Sequence, residues 1–153
     1  FPTLEMRIAD VCTRLDDAAT IAALTQCILS MLYRLRCDNQ RWRIYPRILV
    51  DENRWRAQRY GVEGELVDFG KGQLVAYAEL IDELIELLRE DAVRLDCVAE
   101  IEHAREIVSR GTSADRQLHV YNAARTAGAG DEEALGAVVD LLIEDTLNGL
   151  GVG

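Results

Sequence analysis

The stretch QLVAYAELIDELIELLRED, residues 73–91, carries the strongest periodic pattern in the chain. Its apolar side chains recur at helical spacing along one stripe, while acidic side chains occupy the opposite side. The stripe consists of Leu74, Tyr77, Ile81, Leu84 and Leu88, and the acids are Glu79, Asp82, Glu83, Glu86 and Glu90. This pattern predicts an amphipathic helix over residues 73–91 that buries its apolar side against other helices.

Patterns of the same kind on both sides of this segment predict a fold that is mostly α-helical. Pro46 is typical of a helix start, whereas Gly61 and Gly111 are typical of helix ends. The predicted helices, about six in number, lie near residues 16–36, 47–60, 73–91, 96–110, 113–126 and 131–147. Residues 65–69, between glycines, fit either a short strand or an extended loop. The short connections favour a bundle in which neighbouring helices are antiparallel.

Local signals also predict how some of these helices begin and which side they bury. Asp16 or Asp17 is the expected cap of the first helix, and Ser113 that of helix 113–126. The expected buried face of helix 131–147 consists of Leu135, Val138, Val139, Leu142 and Ile143.

The amino-terminal residues follow a different pattern. Leu4, Met6 and Ile8 alternate with Thr3, Glu5, Arg7 and Ala9, which predicts a single β-strand over residues 3–10. A lone strand cannot satisfy its own backbone hydrogen bonds. This strand must therefore either pair with strands that the sequence does not contain or lie as an unpaired tail.

Composition and charge narrow the class of protein. The chain has 153 residues, of which 49% are hydrophobic and 29% charged, as in ordinary soluble globular proteins. No apolar run approaches the roughly 18–20 residues of a membrane span, so no membrane partner is expected. The net charge of −10 makes nucleic acid an unexpected partner. Charge is nevertheless uneven, because residues 34–59 hold eight arginines against three acids, a local charge of +5. This region could bind a small anion, or it is simply a solvated Arg-rich surface.

The cysteines and histidines do not indicate a metal site. The cysteines at positions 12, 27, 37 and 97 form no Cys-x-x-Cys pair, and only His103 and His119 accompany them. His103, between acids, is expected on an exposed helix surface, and neither histidine has a visible catalytic partner. Buried, reduced thiols in a cytoplasmic protein are the expected outcome.

Three segments carry candidate chemistry. The first places Glu5 and Arg7 on one face of the predicted strand, about 7 Å apart. That spacing looks too wide for a tight ion pair but suits a ligand held from two points, with the carboxylate on Mg²⁺ and the guanidinium on a carboxylate or phosphate. The alternative is a solvent-facing strand with mixed charges.

The second segment is ENRWRAQRYG, residues 52–61, in which Arg56 and Arg59 share a helix side with Trp55 and Glu52. The two guanidinium groups are candidates for binding an anionic substrate. Alternatively, Trp55 is a core residue and the arginines pair with neighbouring acids. The third segment, RGTSADRQ at residues 110–117, combines a glycine stop with a helix start, for which capping is the simpler interpretation and anion binding the alternative.

Taken together and in this order, three segments resemble the carboxyl-terminal part of the bacterial carboxylate–amine ligases, a family related to glutamate–cysteine ligase. They are TLEMRIAD at residues 3–10, ENRWRAQRYG at residues 52–61 and GTSADRQ at residues 111–117. The resemblance spans most of this chain but only about the last two fifths of a full family member. It implies the carboxyl-terminal part of a glutamine-synthetase-like α+β fold, whose antiparallel sheet forms a funnel for ATP, Mg²⁺ and an acidic amino acid.

The resemblance also implies chemistry. In such ligases ATP phosphorylates a carboxylate, and an amine then displaces the phosphate to form an amide. Glu5 corresponds to a Mg²⁺-ligating carboxylate, and Arg7 to a catalytic arginine that neutralises the phosphoryl group or the acid. Arg56 and Arg59 correspond to the substrate side of the site. The expected partners are therefore a small-molecule acid and an amine, with ATP and Mg²⁺ as cofactors.

We further expect residues 1–153 to form one domain cut from a longer ligase, because the sequence opens with Phe1 instead of a methionine. The other metal ligands and the ATP-binding strands would then lie upstream, and this chain alone would be inactive and bind ATP–Mg²⁺ poorly. The alternative function is a non-catalytic helical domain for interaction or oligomerisation. Two copies of the chain could also pair with each other through an exposed sheet edge.

Overall fold

The computed structural model describes residues 3–148 and is mostly α-helical, as predicted. This part of the chain contains seven α-helices: α1 (Leu15–Cys37), α2 (Arg47–Tyr60), α3 (Tyr77–Arg94), α4 (Val98–Glu102), α5 (Ala104–Arg110), α6 (Ser113–Thr126) and α7 (Asp131–Asn148). A 3-10 turn at Gly61–Glu63 follows α2. Strands β1 (Glu65–Asp68) and β2 (Gln73–Ala76) form an antiparallel pair, the only sheet within residues 3–148.

The core lies where α1, α3, α4 and α5 meet. Its buried members are Ala23, Cys27, Met31, Ile85, Leu88, Ala92, Ile101 and Ala104. Within α1 and α3 these side chains recur three or four residues apart, so each of these two helices contributes one apolar stripe, whereas α4 and α5 contribute one buried residue each. Cys27 is fully buried there, as expected, with its Sγ 3.5 Å from that of Cys97, whereas Cys37 is exposed, contrary to expectation.

Charged groups reinforce the contact between α1 and α3. Asp91 is fully buried, and its carboxylate accepts hydrogen bonds from Ser30 Oγ at 2.8 Å, Arg34 Nη2 at 2.8 Å and Arg94 Nη2 at 2.6 Å. Burial alone would raise the pKa of Asp91, but these hydrogen bonds outweigh burial and hold that pKa below its usual value. The cluster thus joins the two helices through a charge that has no access to water.

The predicted helix 73–91 differs from the structure at both ends, because residues 73–76 form β2 and the helix continues to Arg94. β2 pairs with β1 in the register Glu65↔Ala76, across a turn in which Gly72 has φ 67°. Leu74 and Val75 fit strand and helix periods equally well, so the pattern could not choose between them. The segment left open at residues 65–69 is a strand over Glu65–Asp68.

The predicted helix 96–110 is two short helices that meet at His103. The Glu106 N–H donates to the His103 carbonyl three residues earlier, which tightens the backbone at this junction. Asp96 has a left-handed φ of 55° and lies in the preceding turn, so α4 begins only at Val98.

The predicted strand at residues 3–10 is not present, because these residues form no regular secondary structure. Alternation supplies one apolar face, but a strand also needs a neighbour for its backbone hydrogen bonds. No strand lies beside these residues within the described range, and the apolar side chains Leu4, Met6 and Ile8 are exposed.

Helix α1 is long and apolar enough to cross a membrane, judged by length and composition alone. The expectation that no segment approaches such a length is therefore wrong by this measure. In the structure, α1 packs against α3, α4 and α5 and carries the buried core residues Ala23, Cys27 and Met31. Core helices of proteins that do not cross membranes can have the same length and composition.

Helices α6 and α7 pack mainly against each other and form a hairpin. Polar contacts tie this hairpin to the residues before α1. Thr13 Oγ1 lies 3.0 Å from Ser113 Oγ, and Arg14 Nη1 lies 3.8 Å from the Asp145 carboxylate. Asp145 is buried and also accepts a 2.5 Å hydrogen bond from Arg116, so one carboxylate joins both helices of the hairpin to the start of α1.

Candidate functional site

Glu5 and Arg7 lie side by side in the amino-terminal segment, which has no regular secondary structure. Arg7 Nη2 donates to Glu5 Oε2 at 2.8 Å. The side chain of Glu5 is 70% exposed and that of Arg7 is 80% exposed. The expectation that they are too far apart for a tight ion pair is wrong, because two long side chains on one side of an extended chain can bridge about 7 Å. Each charge therefore neutralises the other in this structure.

Helix α2 holds Arg56 by local contacts. Arg56 Nε donates to Glu52 Oε1 at 2.8 Å, one turn earlier, and Arg56 Nη1 lies 3.5 Å from the carbonyl oxygen of Glu65 in β1. Its side chain is 23% exposed. The interpretation in which arginines of this segment pair with neighbouring acids is thus confirmed for Arg56.

Arg59, one turn further along α2, is exposed and forms no ion pair within residues 3–148. Trp55 is also half exposed and contacts the Tyr60 ring edge-on, with centroids 5.6 Å apart, so the alternative that made it a core residue is wrong. Among the described residues, no hydrogen bond or ion pair joins Glu5 or Arg7 to this helix.

The role of Asn53 in the same segment is structural and was missed in the sequence. Its carboxamide donates to the Val67 carbonyl at 2.9 Å and accepts from the Val67 N–H at 2.7 Å. The side chain thereby imitates a neighbouring strand and fixes α2 against β1. An asparagine between charged residues gives no sequence signal for such a pairing, since its partner lies 14 residues away.

The third candidate segment is a helix start. Thr112, not Ser113, caps α6: its hydroxyl accepts from the Asp115 N–H, while the Asp115 carboxylate accepts from the Thr112 N–H at 2.8 Å. Gly111 precedes this capping box with φ 89°, a conformation that glycine tolerates best. The capping interpretation is therefore confirmed for these residues.

Sequence reasoning also missed a charged cluster at the start of α1. Asp17 is buried. Its two carboxylate oxygens lie 2.9 and 2.7 Å from one nitrogen of Arg110, Nη2, and one of them lies 3.0 Å from His103 Nε2. Burial raises the pKa of Asp17, but hydrogen bonds from Arg110 and His103 outweigh it and hold that pKa below its usual value. The partners lie 86 and 93 residues away, so only folding brings them together.

Two of the expectations for this region are consequently corrected. Neither Asp16 nor Asp17 is a helix cap, since α1 begins at Leu15 after Arg14, which makes no capping hydrogen bond through its side chain. His103 is not on an exposed surface but half-buried between Asp17 and Glu106, the latter 3.3 Å from Nδ1.

A cavity of about 530 Å³ adjoins this cluster between α5, α6 and α7. It is lined by Arg110, Asp115, Arg116, His119, Val120 and Leu141. None of the four site residues proposed from the sequence lines it. Within residues 3–148, no group of three or more His, Cys, Asp or Glu side chains is placed to hold a metal ion.

Comparison with known proteins supports the resemblance noted in the sequence. The family model of glutamate-cysteine ligase family 2 matches residues 1–140. A protein of Rhodospirillum rubrum named "Putative glutamate--cysteine ligase 2" is 62% identical over 151 residues, which cover 99% of this chain and 39% of the relative. Proteins of the same name from Jannaschia and Sorangium cellulosum are 52% and 46% identical, over 95% and 98% of this chain and 38% of each relative.

No solved structure gives a significant match to the chain. The chain spans about two fifths of the length of the curated relatives it matches. The family match, by contrast, covers nearly all of this chain and includes all three segments that carried the resemblance. The chain therefore belongs to glutamate-cysteine ligase family 2.

Proposed function

We propose that the protein of which this chain is part is an ATP-dependent carboxylate–amine ligase that forms an amide through an acyl phosphate. The observation that carries the proposal is the family match over residues 1–140, together with relatives at up to 62% identity whose names describe a glutamate–cysteine ligase. The names of these relatives supply the pair to test, with glutamate as the acid and cysteine as the amine.

Within that reaction, we assign Glu5 to Mg²⁺ binding and Arg7 to neutralising the phosphoryl group or the substrate acid. Their exposure and pairing support this assignment. An exposed ion pair contributes little to stability, so both side chains can turn from each other to a ligand at small energetic cost. An arginine aimed at developing negative charge is also what phosphoryl transfer requires.

The described residues alone do not make up the metal site. Glu5 is the one carboxylate of this chain to which we assign Mg²⁺ binding, and no cluster of three potential ligands occurs within residues 3–148. Magnesium in such sites is held by one or two carboxylates together with substrate phosphates and water. We propose that other parts of the full-length protein complete the site and that this chain alone is inactive.

For the substrate side, Arg59 is the better placed of the two arginines. Its guanidinium group is exposed and has no acidic partner among the described residues, whereas Arg56 is held by Glu52 and by the backbone of β1. We propose that Arg59 binds an anionic substrate group directly and that Arg56 positions α2 next to it.

The test is a kinetic comparison in the full-length protein. Glu5→Ala and Arg7→Ala are each expected to lower kcat/KM for glutamate- and cysteine-dependent phosphate release by at least about 100-fold, the usual loss for a group that stabilises transition-state charge. The matched controls are Asp82→Ala and Arg105→Ala, which break an exposed 2.6 Å ion pair on α3 and α5. Helical circular dichroism verifies that each variant is folded.

Normal turnover in both amino-terminal variants would refute the assignment of Glu5 and Arg7. If the wild-type protein released phosphate without forming an amide, or released no phosphate, the ligase proposal itself would be refuted. In that case, the non-catalytic interaction domain is the remaining candidate, which the exposed apolar side chains of α7 favour. A titration with ATP–Mg²⁺ distinguishes the two, because only the ligase binds the nucleotide.

A further inference from the structure

Helix α7 leaves a continuous apolar row uncovered. Leu135, Val139, Ile143 and Leu147 follow one another at intervals of four residues, and each is between 49% and 57% exposed. The row extends over about 18 Å of helix. The helical pattern predicted Leu135, Val139 and Ile143 on the buried face of this helix, and the prediction is wrong for these three residues. Instead, α6 covers the neighbouring side of α7, around the buried Ala134 and Asp145.

Acidic side chains surround this row, and no basic residue lies on α7. The helix carries Asp131, Glu132, Glu133, Asp140, Glu144 and Asp145, of which only Asp145 is buried. Two α7 helices brought together would therefore repel each other. A partner that covers the row must combine apolar side chains with positive charge.

The chain itself offers such a surface at the start of α2. Ile44 and Ile48 are 85% and 76% exposed, Trp42 is half exposed, and α2 buries no residue. Arginines at positions 41, 43, 47 and 54 are also exposed in this segment. We refer to Arg41–Arg54 as the basic surface and to the four apolar residues of α7 with their acidic neighbours as the acidic row.

We propose that the acidic row of one copy of the protein docks on the basic surface of a second copy. Both surfaces are rich in apolar groups, so contact removes them from water, and their opposite charges select this pairing over α7 against α7. Uncovered apolar patches of this kind on a folded chain typically mark places of association. The contact joins two different surfaces, so each copy offers one to its neighbour.

The test uses the full-length protein in sedimentation velocity at several concentrations. Two charge-reversal variants are prepared: Asp140→Arg with Glu144→Arg in the acidic row, and Arg41→Glu with Arg47→Glu in the basic surface. Each variant alone is expected to self-associate at least about tenfold more weakly than the wild type. An equimolar mixture of the two is expected to recover association, because each reversed surface then meets an opposite charge.

An apolar substitution supplies an independent arm. Val139→Glu, in the middle of the acidic row, is expected to weaken association, whereas Val93→Glu, at an equally exposed apolar position on α3, is expected to leave it unchanged. Circular dichroism checks the fold of both. The proposal is overturned if the wild-type protein is monomeric at all concentrations, if the reversed variants associate as the wild type does, or if mixing them restores nothing. A monomer would indicate that other parts of the full-length chain cover both surfaces.

Discussion

Replacing Asp91 by alanine is expected to destabilise the fold by about 2–3 kcal/mol. Removing one member of a buried ion pair ordinarily costs about 3–5 kcal/mol, because the remaining charge is left without compensation. Here the partners reach water in part, since the side chains of Arg34 and Arg94 are 30% and 55% exposed. Solvation of these arginines recovers some of the loss, which lowers the expected figure.

The measurement is urea unfolding of the 153-residue chain, followed by circular dichroism at 222 nm. The matched control is Glu90→Ala, which removes the exposed carboxylate that lies 3.3 Å from the same arginine, Arg34. This control is expected to change the free energy of unfolding by less than about 0.5 kcal/mol. The role given to burial would be refuted if both variants lost the same free energy of unfolding, or if Asp91→Ala unfolded at the same urea concentration as the wild type.

The effect of Asp91 also has a defined pH dependence. Its pKa is lower in the folded state than in the unfolded state, so its contribution is fully present above the unfolded pKa, about 4, and is lost as the pH falls through the folded value. The difference in stability between the wild type and Asp91→Ala is therefore expected to narrow below about pH 4. A difference that stays constant down to pH 2 would contradict this assignment.

Three further substitutions test other parts of the fold. Ile85→Ala, in the fully buried core, is expected to cost about 2–5 kcal/mol in urea unfolding, whereas Leu87→Ala, on the exposed side of α3, should cost far less. Thr112→Ala is expected to cost about 1 kcal/mol and to increase amide exchange in the first turn of α6, and Thr112→Ser should retain the cap. Asn53→Ala removes two hydrogen bonds to β1 and is expected to cost about 1–2 kcal/mol, with Gln58→Ala, on the exposed side of α2, as the neutral comparison. If Ile85→Ala, Thr112→Ala or Asn53→Ala left the free energy of unfolding unchanged, the contact removed by that substitution would not contribute to stability.

Helix positions could be predicted from the sequence where the signals are local. Pro46 and Gly61 fix the ends of α2, and α6 begins and ends at the predicted residues. The family could likewise be inferred from three short segments, each readable without knowledge of the fold. Such features depend on neighbours within a few residues, which a single sequence displays.

Features that depend on distant partners could not be predicted. The Asp17 carboxylate looks like a helix cap until folding brings Arg110 and His103 to it, and the sequence does not show that Ser30 and Arg34 of α1 will meet Asp91. Residues 3–10 have the alternation of a strand but no neighbouring strand within the described chain. Periodicity likewise marked the apolar residues of α7 correctly but could not tell which of its two apolar sides α6 covers.

The double hydrogen bond between Asn53 and Val67 has a consequence for solubility. A two-stranded sheet has two open edges, and open edges invite other chains to add strands and start aggregates. The carboxamide occupies the outward N–H and C=O of Val67, which are the groups an incoming strand would need first. One polar side chain of α2 thus blocks strand addition at this edge, and its loss would leave both backbone groups of Val67 open to pairing with another chain.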